Sequence, residues 1–171
     1  MMKWVQAGAA LALLVAGCLG GAAQAAEPPT EPMLRIEAGM HTSAVKHLDS
    51  DAAGRYAVTA SADKTARVWD LSNGRQLLVL RPPIGANTEG SLDAAAISPD
   101  GSTVAVGGWT GWSWGQQNHV YFFDRASGKM LGKMSSLPGA IVHLRFSPNG
   151  RWLAVGMNGN HGVRVWEWRL G

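Results

Sequence analysis

Ser98-Pro99-Asp100-Gly101-Ser102-Thr103-Val104-Ala105 and Ser147-Pro148-Asn149-Gly150-Arg151-Trp152-Leu153-Ala154 are two versions of one block. Asp51-Ala52-Ala53-Gly54-Arg55-Tyr56-Ala57-Val58 is a third. Each is a glycine turn that opens onto an apolar run. The turn glycines at 54, 101 and 150 lie 47 and 49 residues apart. A period in the range of roughly 20–50 residues marks stacked structural units. Such units build surfaces, and this pattern points to binding rather than catalysis.

Within a unit, short apolar runs alternate with turn residues. Ala44–Leu48, Tyr56–Ser61, Ala66–Leu71 and Gln76–Leu80 read as four strands, separated by turns at Gly54, Asp63-Lys64 and Asn73-Gly74. Asn-Gly between two apolar runs is a strong hairpin signal. Ser127-Gly128 holds the same place in the second unit. No helical periodicity is visible beyond the N-terminal segment. The expected class is all-β, with four short antiparallel strands per unit.

These residues carry a family resemblance. Val68-Trp69-Asp70 resembles the Trp-Asp ending of WD40 repeats, and Gly39-Met40-His41 resembles their opening Gly-His pair with one residue inserted. Ser-Pro-Asp-Gly at 98–101 and Ser-Pro-Asn-Gly at 147–150 resemble their first turn. The resemblance covers residues 33–171 and implies a β-propeller, each repeat a four-stranded blade. It also implies a buried polar tetrad in the first unit: His41, Thr59, Asp63 and Trp69. An imidazole, a hydroxyl, a carboxylate and an indole N–H can satisfy one another in a dry interior, where an unpaired group is costly. The same residues taken as a catalytic triad fare worse, because threonine is a poor nucleophile without an unusual base. The second and third units carry Phe123-Asp124 and Trp166-Glu167 in place of Trp-Asp and have no clear tetrad, so packing is expected to hold those blades.

Residues 32–39 read as an outer fourth strand, and the third unit stops after its third strand. Three blades result, fewer than the roughly four to eight of closed rings. Either the chain is a fragment of a longer propeller, or it self-associates to close a ring. Exposed blade faces would result in a lone copy.

The first 26 residues differ in character. A short positive start at Lys3, an apolar run from Trp4 to Gly17 and the small-x-small site Ala23-Gln24-Ala25 are features of a bacterial secretory leader. The expected organisation is a signal peptide at 1–25, a linker at 26–32 and the repeat region at 33–171. Periplasmic or secreted location follows. Val15-Ala16-Gly17-Cys18 also resembles a lipobox, which makes Cys18 a lipidation candidate and a membrane anchor the alternative. Cys18 is the sole cysteine, so cleavage after Ala25 leaves no disulfide. Cleavage also lowers the formal charge from +3 to +2. Lys and Arg are scattered, which argues against nucleic acid as a partner.

The second unit carries seven extra residues between its second and third strands. They hold Trp109, Trp112 and Trp114. Trp112 and Trp114 alternate as a strand extension would, and the loop could fold back over a blade. If exposed, the three indoles are candidate partner contacts, since tryptophan is enriched at binding hot spots. The loop Arg81–Gly90, with its paired prolines, reads as a connector or part of a rim. His47 and His143 share a register position on the innermost strands. No carboxylate or cysteine completes a set at ligand spacing, so no metal site is expected. No cofactor or catalytic motif is present.

The segment as a whole resembles the repeat regions of exported bacterial WD40 proteins, some fused to caspase-like peptidases. The peptidase's own motifs are absent here. The reading is a non-enzymatic protein–protein interaction module with an unidentified protein partner. The alternatives are the recognition fragment of such a peptidase and a glycan- or small-ligand-binding propeller.

Overall fold

The computed structural model describes Thr30, Leu34 and residues 37–168. The expected signal helix, Cys18, and all of the linker but Thr30 lie outside the described residues. Three antiparallel sheets follow one another along the chain. The first holds β1 (Val45–Ser50), β2 (Tyr56–Ser61), β3 (Ala66–Asp70) and β4 (Arg75–Leu80). The second holds β5 (Leu92–Ile97), β6 (Thr103–Gly108), β7 (Asn118–Asp124) and β8 (Met130–Leu137). The third holds β9 (Ile141–Phe146), β10 (Trp152–Met157) and β11 (Val163–Glu167). Each strand pairs with its predecessor, so each sheet is a meander.

The turns explain why these strands start where they do. Gly54, Gly101 and Gly150 all sit in the left-handed region, at φ 63, 74 and 69, which glycine enters without steric cost. The residue three before each glycine supplies an oxygen to the chain beyond the turn. Asp51 Oδ1 accepts from the Arg55 and Tyr56 amides at 2.7 and 3.0 Å. Ser98 Oγ accepts from Thr103, and Ser147 Oγ from Trp152, both at 2.9 Å. Asp70 and Asp124, which end the third strands, hold the next turns through Ser72 and Ser127. The aspartate of the Trp-Asp pair is therefore a turn residue.

Two cores stack the sheets face to face. Val58, Ala60, Ala66 and Val68 of the first meet Val104, Val106, Tyr121 and Phe123 of the second. The other face of the second, with Ala94, Ala105, Val120 and Phe122, meets Ile141, Leu144, Leu153 and Val155 of the third. Alternate residues of each strand thus serve opposite neighbours, and β6 is buried along its whole length. The innermost strands β1, β5 and β9 pack side by side. This is the arrangement of successive propeller blades.

Two expectations fail. Leu34 and Glu37–Gly39 are not in a strand. An outer strand needs a neighbouring edge, and Glu37 instead takes ion pairs from Arg67 and Arg81, both at 2.8 Å. The Trp loop is not a strand extension either. It contains a one-turn helix, α1 (Trp112–Gly115), bounded by Gly111 and Gln116, both left-handed.

Candidate functional site

Of the predicted residues, the first blade brings His41, Thr59, Asp63 and Trp69 together. His41 Nδ1 lies 2.8 Å from Asp63 Oδ2, and its Nε2 lies 2.8 Å from Thr59 Oγ1. Trp69 Nε1 donates to the same hydroxyl at 2.9 Å. The proton order is consistent: Trp69 donates to Thr59, Thr59 to His41, and His41 to Asp63. Asp63 also accepts from the Thr42 amide at 3.0 Å and from Thr65 Oγ1 at 2.6 Å. Burial works to raise the Asp63 carboxyl, but bonds from Thr65, His41 and Thr42 outweigh it and hold it below its ordinary value. The side chains of His41 and Asp63 are almost wholly covered. A substrate has no approach to Thr59, and the set reads as a structural lock.

The second blade has its own lock, which the sequence reading missed. Glu89 takes the place where the first blade has His41. It is 4% exposed. Its carboxylate accepts the Gly111 amide, the Ser113 amide at 3.0 Å and Ser113 Oγ at 2.9 Å. Thr110 is held by Asn118 Oδ1 at 2.9 Å and by the His119 carbonyl at 2.6 Å. The expectation that packing alone holds this blade is therefore corrected. Three amide and hydroxyl donors converge on one carboxylate and wind the chain into α1, which is also why no strand extension forms. Burial pushes the nearby Tyr121 phenol up to about 12, with the Glu89 charge adding to it. In the third blade Asn158 Oδ1 accepts the Ala140 amide at 2.9 Å, standing in for Asp63.

The clamp sorts the three indoles. Trp114 is buried at 9% exposure, against the loop 81–90 at Gly85. Trp109 and Trp112 stay 39% and 44% exposed. Gly90 N–H donates to the Trp109 carbonyl at 2.6 Å, so the two long loops form one rim. From Val106 to Asn118 there is no formally charged residue. A second feature unforeseen in the sequence is a groove of about 490 Å³ between β8 and β11, lined by Phe122, Leu131, Met134, Trp166 and Trp168. Trp168 stacks on Phe122 with ring centroids 4.2 Å apart. Only the aromatic content of β11 hinted at it.

Comparison with known proteins fits this architecture. Residues 37–70 and 131–167 match the family described as WD domain, G-beta repeat. The first match spans the tetrad blade up to its Trp-Asp pair, and the second runs from β8 to β11. The chain is 36% identical over 111 residues to small ribosomal subunit protein RACK1y of Oryza sativa subsp. japonica, covering 64% of this chain and 28% of that protein. It is 36% identical over 103 residues to protein groucho of Drosophila melanogaster, covering 58% of this chain and 12% of that protein. With pre-mRNA-processing factor 19 homolog 2 of Arabidopsis thaliana it shares 29% over 131 residues, covering 75% of this chain and 22% of that protein. The chain therefore spans less than a third of the length of each.

Proposed function

We propose that this chain, which carries WD40 repeats, is a non-enzymatic docking module whose partner is a protein. The observation that carries the reading is the rim of the second blade. There Glu89 fixes a short uncharged loop that leaves Trp109 and Trp112 half exposed. Large rigid side chains on a preorganised loop lose little entropy on binding and favour hot-spot contacts. The buried first-blade tetrad supports the non-enzymatic part of the reading. One relative's printed name is that of a small ribosomal subunit protein, a component of a larger assembly, which agrees with docking.

The reading extends to export across a bacterial membrane, on the strength of the Lys3, Trp4–Gly17 and Ala23-Gln24-Ala25 pattern. Periplasmic or secreted location is part of the proposal, with anchoring through Cys18 as its alternative. A connection to caspase-like peptidases enters only as the source of a recognition segment.

Two experiments test it. The doubly substituted Trp109→Ala, Trp112→Ala protein should keep the wild-type circular dichroism and lose the protein that the wild type retains in its native cells. Retention of the same protein by the variant overturns the rim assignment. For export, residues 1–30 fused to a reporter active only outside the cytoplasm should give activity, and N-terminal sequencing should begin at Ala26. An inactive fusion removes that part of the proposal.

A further inference from the structure

The two end blades carry the halves of an interface that the chain already builds twice. Residues opposite each other on paired strands share a face. Val58 and Val68 are such a pair in the first blade, Ala105 and Phe122 in the second, and Ala154 and Val165 in the third. The first pair is buried against the second blade, and the second pair against the third. The third pair meets no further blade among the described residues, and Val165 is 61% exposed. The receiving faces show the same break. Ala95 and Leu144 are fully buried under the preceding blade, while Leu48, at the same register position of β1, is 63% exposed.

A second mismatch lies at the outer edge. β11 pairs with β10 on one side and with no strand on the other. In the second blade β8 takes the corresponding edge of β7. Beside β11 lies instead the apolar groove of about 490 Å³. Trp168 Nε1 is buried and has no hydrogen-bond partner among the described residues. At the other end of the molecule Leu34 is 94% exposed, within the apolar stretch Met33-Leu34-Arg35-Ile36. In an extended strand Leu34 and Ile36 share one face. Glu37 ties this stretch to Arg67, which is paired with Thr59 and so faces away from the second blade. Stacked sheets lie about 10 Å apart, which puts β11 of the same chain two blade spacings, about 20 Å, away. The four residues from Glu37 back to Met33 reach at most about 14 Å. The stretch and the open edge therefore cannot meet within one copy.

We propose that two copies of this chain join head to tail, the first blade of each stacked on the third blade of the other, with residues 33–37 of each laid along β11 of the other copy. The stacking covers Val165 with the face that carries Leu48, which repeats the contact made inside the chain between successive blades. The incoming stretch becomes the fourth strand of the third blade. Its backbone groups pair with the open edge of β11, Leu34 and Ile36 fill the groove, and its carbonyls supply acceptors beside Trp168 Nε1. The contact occurs twice about one two-fold axis, so no blade face is left over. Six blades fall within the roughly four to eight of closed rings. The rim at Trp109 and Trp112 belongs to the second blade and stays outside this interface.

Light scattering after size-exclusion chromatography of the Cys18→Ser chain tests the proposal, and two copies per particle are expected. Val165→Arg should halve the mass and keep the circular dichroism, because that side chain is exposed in a single copy and only the stacked face rejects it. Leu34→Asp should weaken association at least about tenfold. Lys129→Glu, in a turn of the second blade, should leave the mass unchanged. Cysteine crosslinking reads the orientation. Leu34→Cys and Val165→Cys chains, co-expressed with different tags in the Cys18→Ser background, should join through a short bis-maleimide, while neither variant joins to itself. A single copy per particle overturns the proposal and leaves the groove to a strand of another protein. A ladder of larger species, a dimer that survives Val165→Arg, or a failure of positions 34 and 165 to join also overturns it.

Discussion

Asp63 organises the first blade from a single position. Its two oxygens take the imidazole, two amides and a hydroxyl, and these bonds hold its carboxyl below its ordinary value. A depressed carboxyl contributes stability that is fully present above the unfolded pKa and is lost as pH falls through the folded one. Urea denaturation of the wild type and Asp63→Asn across a pH series should therefore show a gap that is constant above about pH 5 and closes below pH 4. A gap that does not narrow would mean the carboxylate is not the ionised anchor. The four tetrad residues were legible in the sequence because a family pattern fixes their spacing. Glu89 was not. Its donors lie 22 and 24 residues away, and no motif links them.

At the scale of elements, strands were legible and the helix was not. Each strand sits between turn residues whose backbone demands are read from residue type alone, as at Gly54, Gly101 and Gly150. α1 has four residues, too few for a period, and it exists because Glu89 collects its amides. Removing that carboxylate should undo it. Glu89→Ala leaves the buried Gly111 N–H unpaired, a cost of about 1–3 kcal/mol. Hydrogen exchange at residues 111–115 should accelerate strongly, while amides of β2 and β3 in the first blade keep their protection. Unchanged exchange in the loop would show that packing of Trp114 alone holds it. The outer strand expected at 32–39 does not form at its described residues, Leu34 and Glu37–Gly39. A strand forms only beside a free edge, and Glu37 is held by two arginines instead.

At the scale of the molecule, the repeat period gave the three blades, and alternation within strands gave the two faces that stack them. What the period could not give was which side chains meet between blades. Gly107 shows how tight that fit is. A Cβ added there would lie 2.9 Å from Ile141 Cβ and Cγ1. Gly107→Ala should destabilise the chain by about 1–3 kcal/mol through overpacking. Combining it with Ile141→Ala should recover part of the loss, because the two sites share one contact and cannot be additive. Additive losses in urea melts would mean that blades two and three do not pack through these residues. The His47–His143 ring contact, with centroids 5.0 Å apart, belongs to the same scale, since it depends on how β1 and β9 flank β5.

The second-blade rim is proposed as the place where a partner protein docks. Photo-crosslinking in the native cells tests it most directly, with a benzophenone amino acid placed at position 112 and, as a control, at position 71. Leu71 is also exposed but lies at the opposite end of the first blade's strands. One discrete protein adduct is expected from position 112 and none from position 71. No adduct at 112, or the same adduct from both positions, would contradict it.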